Sequence, residues 1–264
     1  AASFYFGDYP ASAYLAMRRG TRPLDNQSSR AGCFDFLVRP MELRSTVALE
    51  ARDALLSGNP DQMSQLVQKS QLAVHVALHE GPNSWIVATL LSKMLANFSV
   101  SNIRAVLPNG NDKFWTPLVD SLVKRQPSTW DFFPSQIEAI NGGLLSSEET
   151  YSLQMPTGAG KTTLCEALLY SHLKKNTDEV AIMLVPYRSL ASELRGTLVR
   201  RLNSIGIASR CAYGGTVPVG DELHELANVQ AIVATPEALS GLLGADPVFA
   251  RRIGLIIVDE GHLL

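Results

Sequence analysis

The sequence predicts an α/β protein: a parallel-sheet lobe over residues 129–264, preceded by a mainly α-helical domain over residues 1–128. Two observations predict it. From residue 150 onward, short apolar runs alternate with amphipathic stretches, the pattern of strands buried on both faces and of the helices that cover them. Before Gln126-Pro127-Ser128, apolar residues recur at helical spacing instead.

Taken in order, residues 1–35 read as irregular, with turn clusters at Asp8-Tyr9-Pro10 and Asp25-Asn26-Gln27-Ser28-Ser29. A helix is expected over 41–56, stopped by Gly58-Asn59-Pro60. Further helices are expected over 61–79, 85–98 and, after the turn Pro108-Asn109-Gly110-Asn111, over 114–123. In the second half, strands are expected over 150–155, 180–185, 208–213, 229–234 and 254–258. Helices over 161–174 and 189–203, and a short one behind the fourth strand, complete the alternation.

The chain has 264 residues, 46% of them hydrophobic, enough to bury one or two cores. Three scattered cysteines, Cys33, Cys165 and Cys211, exclude a disulfide scaffold and a four-cysteine metal cluster. They fit a reducing, cytoplasmic setting. No apolar run approaches the roughly 20 residues of a membrane span, and Ala1-Ala2-Ser3-Phe4 does not open a secretory leader. No membrane partner is expected. The missing initiator Met reads as trimming, a tag remnant or an excised fragment. Residues 1–130 hold 13 Lys and Arg against 10 Asp and Glu, and residues 131–264 hold 10 against 15. With a net charge of −2 there is no global basic field, which leaves a local binding stripe open.

Residues 155–163 read Met-Pro-Thr-Gly-Ala-Gly-Lys-Thr-Thr, between an expected strand and an expected helix. Small residues at Gly158, Ala159 and Gly160 let backbone amides wrap phosphate oxygens, and the helix start favours anions. Lys161 supplies a charge to the β- and γ-phosphates, and the Thr162 hydroxyl suits magnesium. Thr157 and Thr163 flank this loop. The general phosphate-loop pattern begins with Gly, but Met155 holds that position here. About a hundred residues on, an apolar strand ends in Asp259-Glu260-Gly261-His262. Two carboxylates at the carboxyl edge of a parallel sheet lie where such folds bind ligands. Asp259 suits the metal, and Glu260 suits orienting and deprotonating a water.

These two motifs resemble motifs I and II of superfamily-two helicases of the DExH type, with the Ski-type branch nearest. Four further stretches fall in the family's order. Phe133-Pro134-Ser135-Gln136, with Gln136 standing 25 positions before Lys161, resembles the glutamine motif that reads adenine. Pro186-Tyr187-Arg188-Ser189-Leu190-Ala191 resembles motif Ia. Gly214-Gly215 resembles the glycine pair of the same lobe, and Thr235-Pro236-Glu237 resembles motif Ib. The likeness covers residues 133–264; nothing in it covers 1–125. It implies a RecA-like lobe of the phosphate-loop NTPase class that takes ATP and Mg2+, with Lys161, Asp259 and Glu260 as catalytic residues. It implies that Pro186, Arg188, Gly214, Gly215, Thr235 and Pro236 contact single-stranded nucleic acid, DNA ahead of RNA, and that His262 couples nucleotide state to movement. It further implies a second RecA-like lobe that supplies arginines to the γ-phosphate, so that this stretch alone is expected to bind ATP and turn it over very slowly.

Each of these residues has a plainer role open to it. Gln136 suits a helix start as well as an adenine edge. Arg188 suits a solvated helix start, and Thr235-Pro236 suits a helix cap. His75 and His79, four apart beside Glu80, have zinc-like spacing but no third ligand, and read as helix-face residues. Phe114, Trp115 and Trp130 read as core aromatics before stacking platforms. A second reading makes the chain the partner-docking module of a helicase–nuclease complex, in anti-phage systems such as the Hachiman type or in restriction-type enzymes, with residues 1–125 meeting the nuclease.

Overall fold

The computed structural model describes residues 1–264 except 8–9, 39–42, 127, 156–157, 213–227, 247 and 262–264, and omits the side chains at 2, 4 and 10–12. The chain divides into two compact units, Ala1–Ala159 and Gly160–Leu264. The sequence boundary at 128/129 marks where the motif-bearing region begins, whereas the packing boundary marks where contacts thin out.

The first unit is helical: α1 (Ala2–Phe6), α2 (Pro10–Arg18), α3 (Ser29–Val38), α4 (Thr46–Ser57), α5 (Pro60–Glu80), α6 (Pro82–Ser101), α7 (Ile103–Val106), α8 (Thr116–Lys124) and α9 (Pro134–Asn141). Helices α1 to α3 correct the expectation that residues 1–35 are irregular. Helix α3 buries Ala31, Gly32, Cys33, Asp35, Phe36 and Leu37. Its buried residues run around the cylinder, so it lacks the one-sided apolar stripe that a periodicity search detects. Packing against α6 stabilises it. Helix α4 starts at Thr46, later than the expected 41, because its entry is fixed by side chains. The Asp35 carboxylate accepts from the Arg44 and Ser45 amides at 2.8 and 2.6 Å, and Ser45 Oγ then accepts from Ala48 N–H. The stop falls as expected: Gly58 is left-handed at φ 68°, and Asn59 caps α5 with Pro60 in its first turn.

Trp130 packs edge-on to Phe36 with ring centroids 6.3 Å apart, and both lie close to Phe98. Trp115 and Trp130 are buried, so both are core aromatics. His75 and His79 are exposed, and among the described residues no three or more His, Cys, Asp or Glu side chains gather into a metal cluster. Nor is any described helix long and apolar enough to cross a membrane.

The second unit is the α/β lobe. Helix α10 (Lys161–Lys175) precedes β1 (Val180–Leu184). A continuous helix over 188–204 follows, made of α11 (Arg188–Leu194), a π-helical segment (Arg195–Val199) and α12 (Arg200–Ser204). Then come β2 (Ser209–Ala212), β3 (Ala231–Ala234), α13 (Pro236–Ala245) and β4 (Ile253–Val258). The four strands are parallel, in the order β2-β3-β1-β4. Val180, Ile182, Ile232, Ala234, Leu242 and Phe249 form a core on one face. The central strands β1 and β3 are buried on both faces and so read as continuous apolar runs.

Four of the five expected strands are present. The fifth, over 150–155, is not a strand, and Ser152, Leu153 and Gln154 are exposed. A strand exists only where a neighbour completes its hydrogen-bond ladder. Residues 150–155 join no ladder, and β4 is the sheet's edge strand in the described residues, paired on one side with β1.

Candidate functional site

The site is built at the carboxyl ends of the parallel strands, where backbone groups run out of ladder partners. Gly158 and Gly160 have φ of 82° and 78°, in the left-handed region that glycine tolerates. Gly160 is the N-cap of α10, and its carbonyl accepts from the Thr163 and Leu164 amides at 3.0 and 3.2 Å. The loop therefore turns straight into the helix, whose first residue is Lys161.

At the other end, Asp259 N–H donates to Leu184 O at 2.9 Å, which extends the β1–β4 pairing one step beyond the strand. Asp259 Oδ1 accepts from Glu260 N–H at 3.1 Å. Glu260 takes φ 51°, a left-handed conformation that costs a non-glycine residue about 1–3 kcal/mol. That turn brings Glu260 Oε1 to 3.3 Å from Lys161 Nζ across 99 positions of sequence. Both side chains are 37% exposed. Cys165, one turn along α10, reports the same neighbourhood. Burial first, and then the charge of Asp259, push its thiol up to about 12, while Lys161 opposes them.

A hydroxyl at Thr162 and a carboxylate at Asp259 are hard oxygen donors of the kind magnesium takes. A lysine and turned-out amides at a helix start suit phosphate. The residues present thus fit ATP and magnesium.

The second group of expected contacts lies on the neighbouring strand ends. Leu184 pairs with Ala234, so Pro186 and Arg188 leave β1 beside the point where Thr235 and Pro236 leave β3. Arg188 and Tyr187 are exposed, Tyr187 at 55%. Thr235 is buried, and its hydroxyl accepts from Ala238 N–H, so it caps α13. Glu237 follows. Its carboxyl is held below its ordinary 4.5, chiefly by its own backbone amide, then by the Thr235 hydroxyl, with a contribution from Arg188. Gly214, Gly215, His262 and Thr157 lie outside the described residues.

Phe133 and Gln136 belong to the first unit. Gln136 is 1% exposed, and its Oε1 accepts from Phe133 N–H at 2.8 Å. This is the reciprocal half of a capping box at the start of α9, so the helix-start role open to Gln136 in the sequence is the contact observed.

Residues 133–264 match the DEAD/DEAH box helicase family. This chain belongs to that family. The matched stretch is a helicase-family ATP-binding domain, and it contains the parallel sheet the motifs imply. The chain is 32% identical over 192 residues to Hachiman protein HamB of Bacillus cereus, covering 71% of this chain and 17% of HamB. It is 29% identical over 135 residues to the ATP-dependent DNA helicase Hel308 of Methanocaldococcus jannaschii, covering 50% of this chain and 11% of that one. Against the ATP-dependent RNA helicase DBP3 of Saccharomyces cerevisiae it is 30% identical over 130 residues, 48% of this chain and 25% of that one. The matches thus span a quarter or less of each of these relatives.

Proposed function

We propose that this chain carries the ATP-binding first lobe of a DExH-type motor of the Ski-type branch, which couples ATP hydrolysis to movement on single-stranded nucleic acid together with a second RecA-like lobe. The observation that carries this is the meeting of Lys161 and Glu260, with Asp259 beside them, at the start of α10 and the end of β4. Amides of 158–162 and Lys161 hold the β- and γ-phosphates. Thr162 and Asp259 hold magnesium, which neutralises phosphate charge when bound. Glu260 orients a water and accepts its proton. Gln136, with Phe133, reads adenine. Arg188, Pro186, Thr235 and Pro236, with Gly214 and Gly215, hold the phosphate backbone of a strand, DNA before RNA, and His262 reports nucleotide state to the second lobe. Titration with a fluorescent ATP analogue tests the reading: Lys161→Ala weakens binding by about 10- to 100-fold, and unchanged affinity in that variant overturns it.

A second reading is supported by the extent of one likeness. Residues 133–264 are 132 residues, but the likeness to HamB runs over 192, so it reaches back into the helical unit. That unit presents Leu72, Val76 and Leu78 of α5 and Trp85 and Ile86 of α6 to solvent. Between Lys69 and Lys93 the only Asp, Glu, Lys or Arg is Glu80. Apolar surface of that extent marks a protein interface. We assign it to a nuclease partner in an anti-phage complex.

A further inference from the structure

Glu166 lies five positions after Lys161 on α10, and the nucleotide chemistry makes no use of it. It is 0% exposed. A fully buried carboxylate costs several kcal/mol to desolvate and persists where charged or hydrogen-bonded groups compensate. One such group is Arg201, whose Nη1 lies 3.8 Å from Glu166 Oε2. Arg201 belongs to α12, the far end of the 188–204 helix. The near end of that helix begins with Arg188. Two helices of one compact unit are therefore tied by a buried charge. One carries Lys161 and Glu166. The other carries Arg188 and Arg201.

Between Arg188 and Arg201 the helix is not uniform. Arg195–Val199 is π-helical, wider than the α-helix on either side, and such segments are marginally stable and concentrate at functional places. Its last carbonyl, at Val199, accepts from the buried Ser209 Oγ at 3.1 Å. Asn203 in the final turn exchanges hydrogen bonds with Ser209, accepting from its amide at 2.9 Å and donating to its carbonyl at 3.1 Å. The carboxyl end of the helix is thus fixed twice, to α10 by charge and to β2 by hydrogen bonds, while the π turn separates it from the end that carries Arg188.

We infer that Glu166 and Arg201 are positioning residues which transmit the state of the phosphate loop, through the π turn, to the nucleic-acid contact at Arg188. Neither touches substrate. A shift of α10 as Lys161 engages phosphate moves Glu166 with it, and Arg201 must follow or give up its share in compensating that buried charge. The adjustment is taken up at the π turn. This rests on the functional reading above.

The test uses the intact protein, a labelled single-stranded oligonucleotide and a non-hydrolysable ATP analogue. The quantity read is the ratio of strand dissociation constants with and without the analogue. In the wild type the ratio differs from one by about 5-fold or more, the usual size of a coupling between sites. Glu166→Gln and Arg201→Gln each bring it to within about 2-fold of one, and the double variant changes it no further, as expected of a pair acting as one unit. Affinity for each ligand alone stays within about 2-fold of the wild type. Arg201→Lys, which keeps the charge, keeps the ratio. A wild-type ratio of one, or an unchanged ratio in the Gln variants, overturns the inference. So does a parallel loss of both single-ligand affinities, which marks a purely structural pair. Should Glu166→Gln not fold, the two Arg201 variants decide. A wild type that binds neither ligand sinks the functional reading itself.

Discussion

Lys161 Nζ and Glu260 Oε1 stand 3.3 Å apart, so the lysine proposed to take phosphate charge is held by the carboxylate proposed to activate water. With both side chains 37% exposed, such an ion pair contributes about 0–1 kcal/mol. It is strong enough to preorganise the lysine and weak enough to yield to a polyphosphate. A charged hydrogen bond is worth about 1.5–3 kcal/mol. Lys161→Ala therefore weakens ATP by about 10- to 100-fold. Glu260→Gln keeps ATP affinity within a few-fold but lowers turnover by about 10²–10⁴, the usual contribution of a general base. Equilibrium binding and steady-state phosphate release, measured on both variants of the intact protein, separate the two roles. Equal loss of binding in both would mean that the pair is only a structural clasp.

The placement of the two motifs was legible because it depends on local order: small residues, then a lysine, at a helix start, and carboxylates at the end of an apolar strand. The strands at 180–184 and 231–234 were legible because burial on both faces writes an apolar run, and 253–258 was legible from its apolar residues although Ile256 and Val258 are exposed. What was not legible depends on partners. Residues 150–155 have strand-like alternation but no ladder. Helix α3 is held by α6 rather than by its own stripe. The Glu166–Arg201 pair comes from elements distant in sequence. The signal for Glu166 was available nonetheless: a carboxylate within the apolar run Leu164-Cys165-Glu166-Ala167-Leu168-Leu169 cannot face the core without compensation.

Gln136 separates two roles by two readouts. Its carbonyl oxygen caps α9 through Phe133 N–H, so Gln136→Ala lowers stability by about 1 kcal/mol. If the same side chain also reads adenine, the variant loses its preference for ATP over GTP as well. Thermal denaturation measures the first effect and competition between the two nucleotides the second. A destabilised variant that still prefers ATP assigns Gln136 to the helix start alone.

The exposed side chains of α5 and α6 predict a partner-specific defect. Val76 and Trp85 are 62% and 40% exposed, and so contribute little to the fold. The pair Val76→Glu and Trp85→Glu leaves ATP binding and melting temperature nearly unchanged, because surface substitutions away from special features usually shift stability within about 0.5 kcal/mol. Association with a nuclease partner falls by about 10-fold or more, since charge is introduced at the centre of an apolar contact. Co-purification of the two proteins, quantified against the wild type, gives the answer. A fully retained complex removes this face from the interface.

Glu237 makes the sharpest prediction about nucleic acid, because its charge opposes the proposed ligand. Its carboxylate is held below its ordinary 4.5 first by its own amide, then by the Thr235 hydroxyl, with a smaller contribution from the charge of Arg188. A phosphate arriving at Arg188 enters the field of that carboxylate. Glu237→Gln therefore strengthens single-strand binding by about 2- to 5-fold at low salt, with the gain fading as salt screens the repulsion. Arg188→Ala does the reverse: it weakens every sequence alike and lowers the salt slope by about one. The pH dependence has a fixed sign. A depressed carboxyl contributes stability that is present above its unfolded value and lost as pH falls through its folded value. Acid therefore erodes the capping contribution of Glu237 at and below the ordinary carboxylate range, and Glu237→Gln is insensitive there. Fluorescence anisotropy across a salt series, with acid denaturation of both proteins, measures the two effects. Weaker binding in Glu237→Gln would place the carboxylate on the attractive side of the interface and take Arg188 out of the phosphate path.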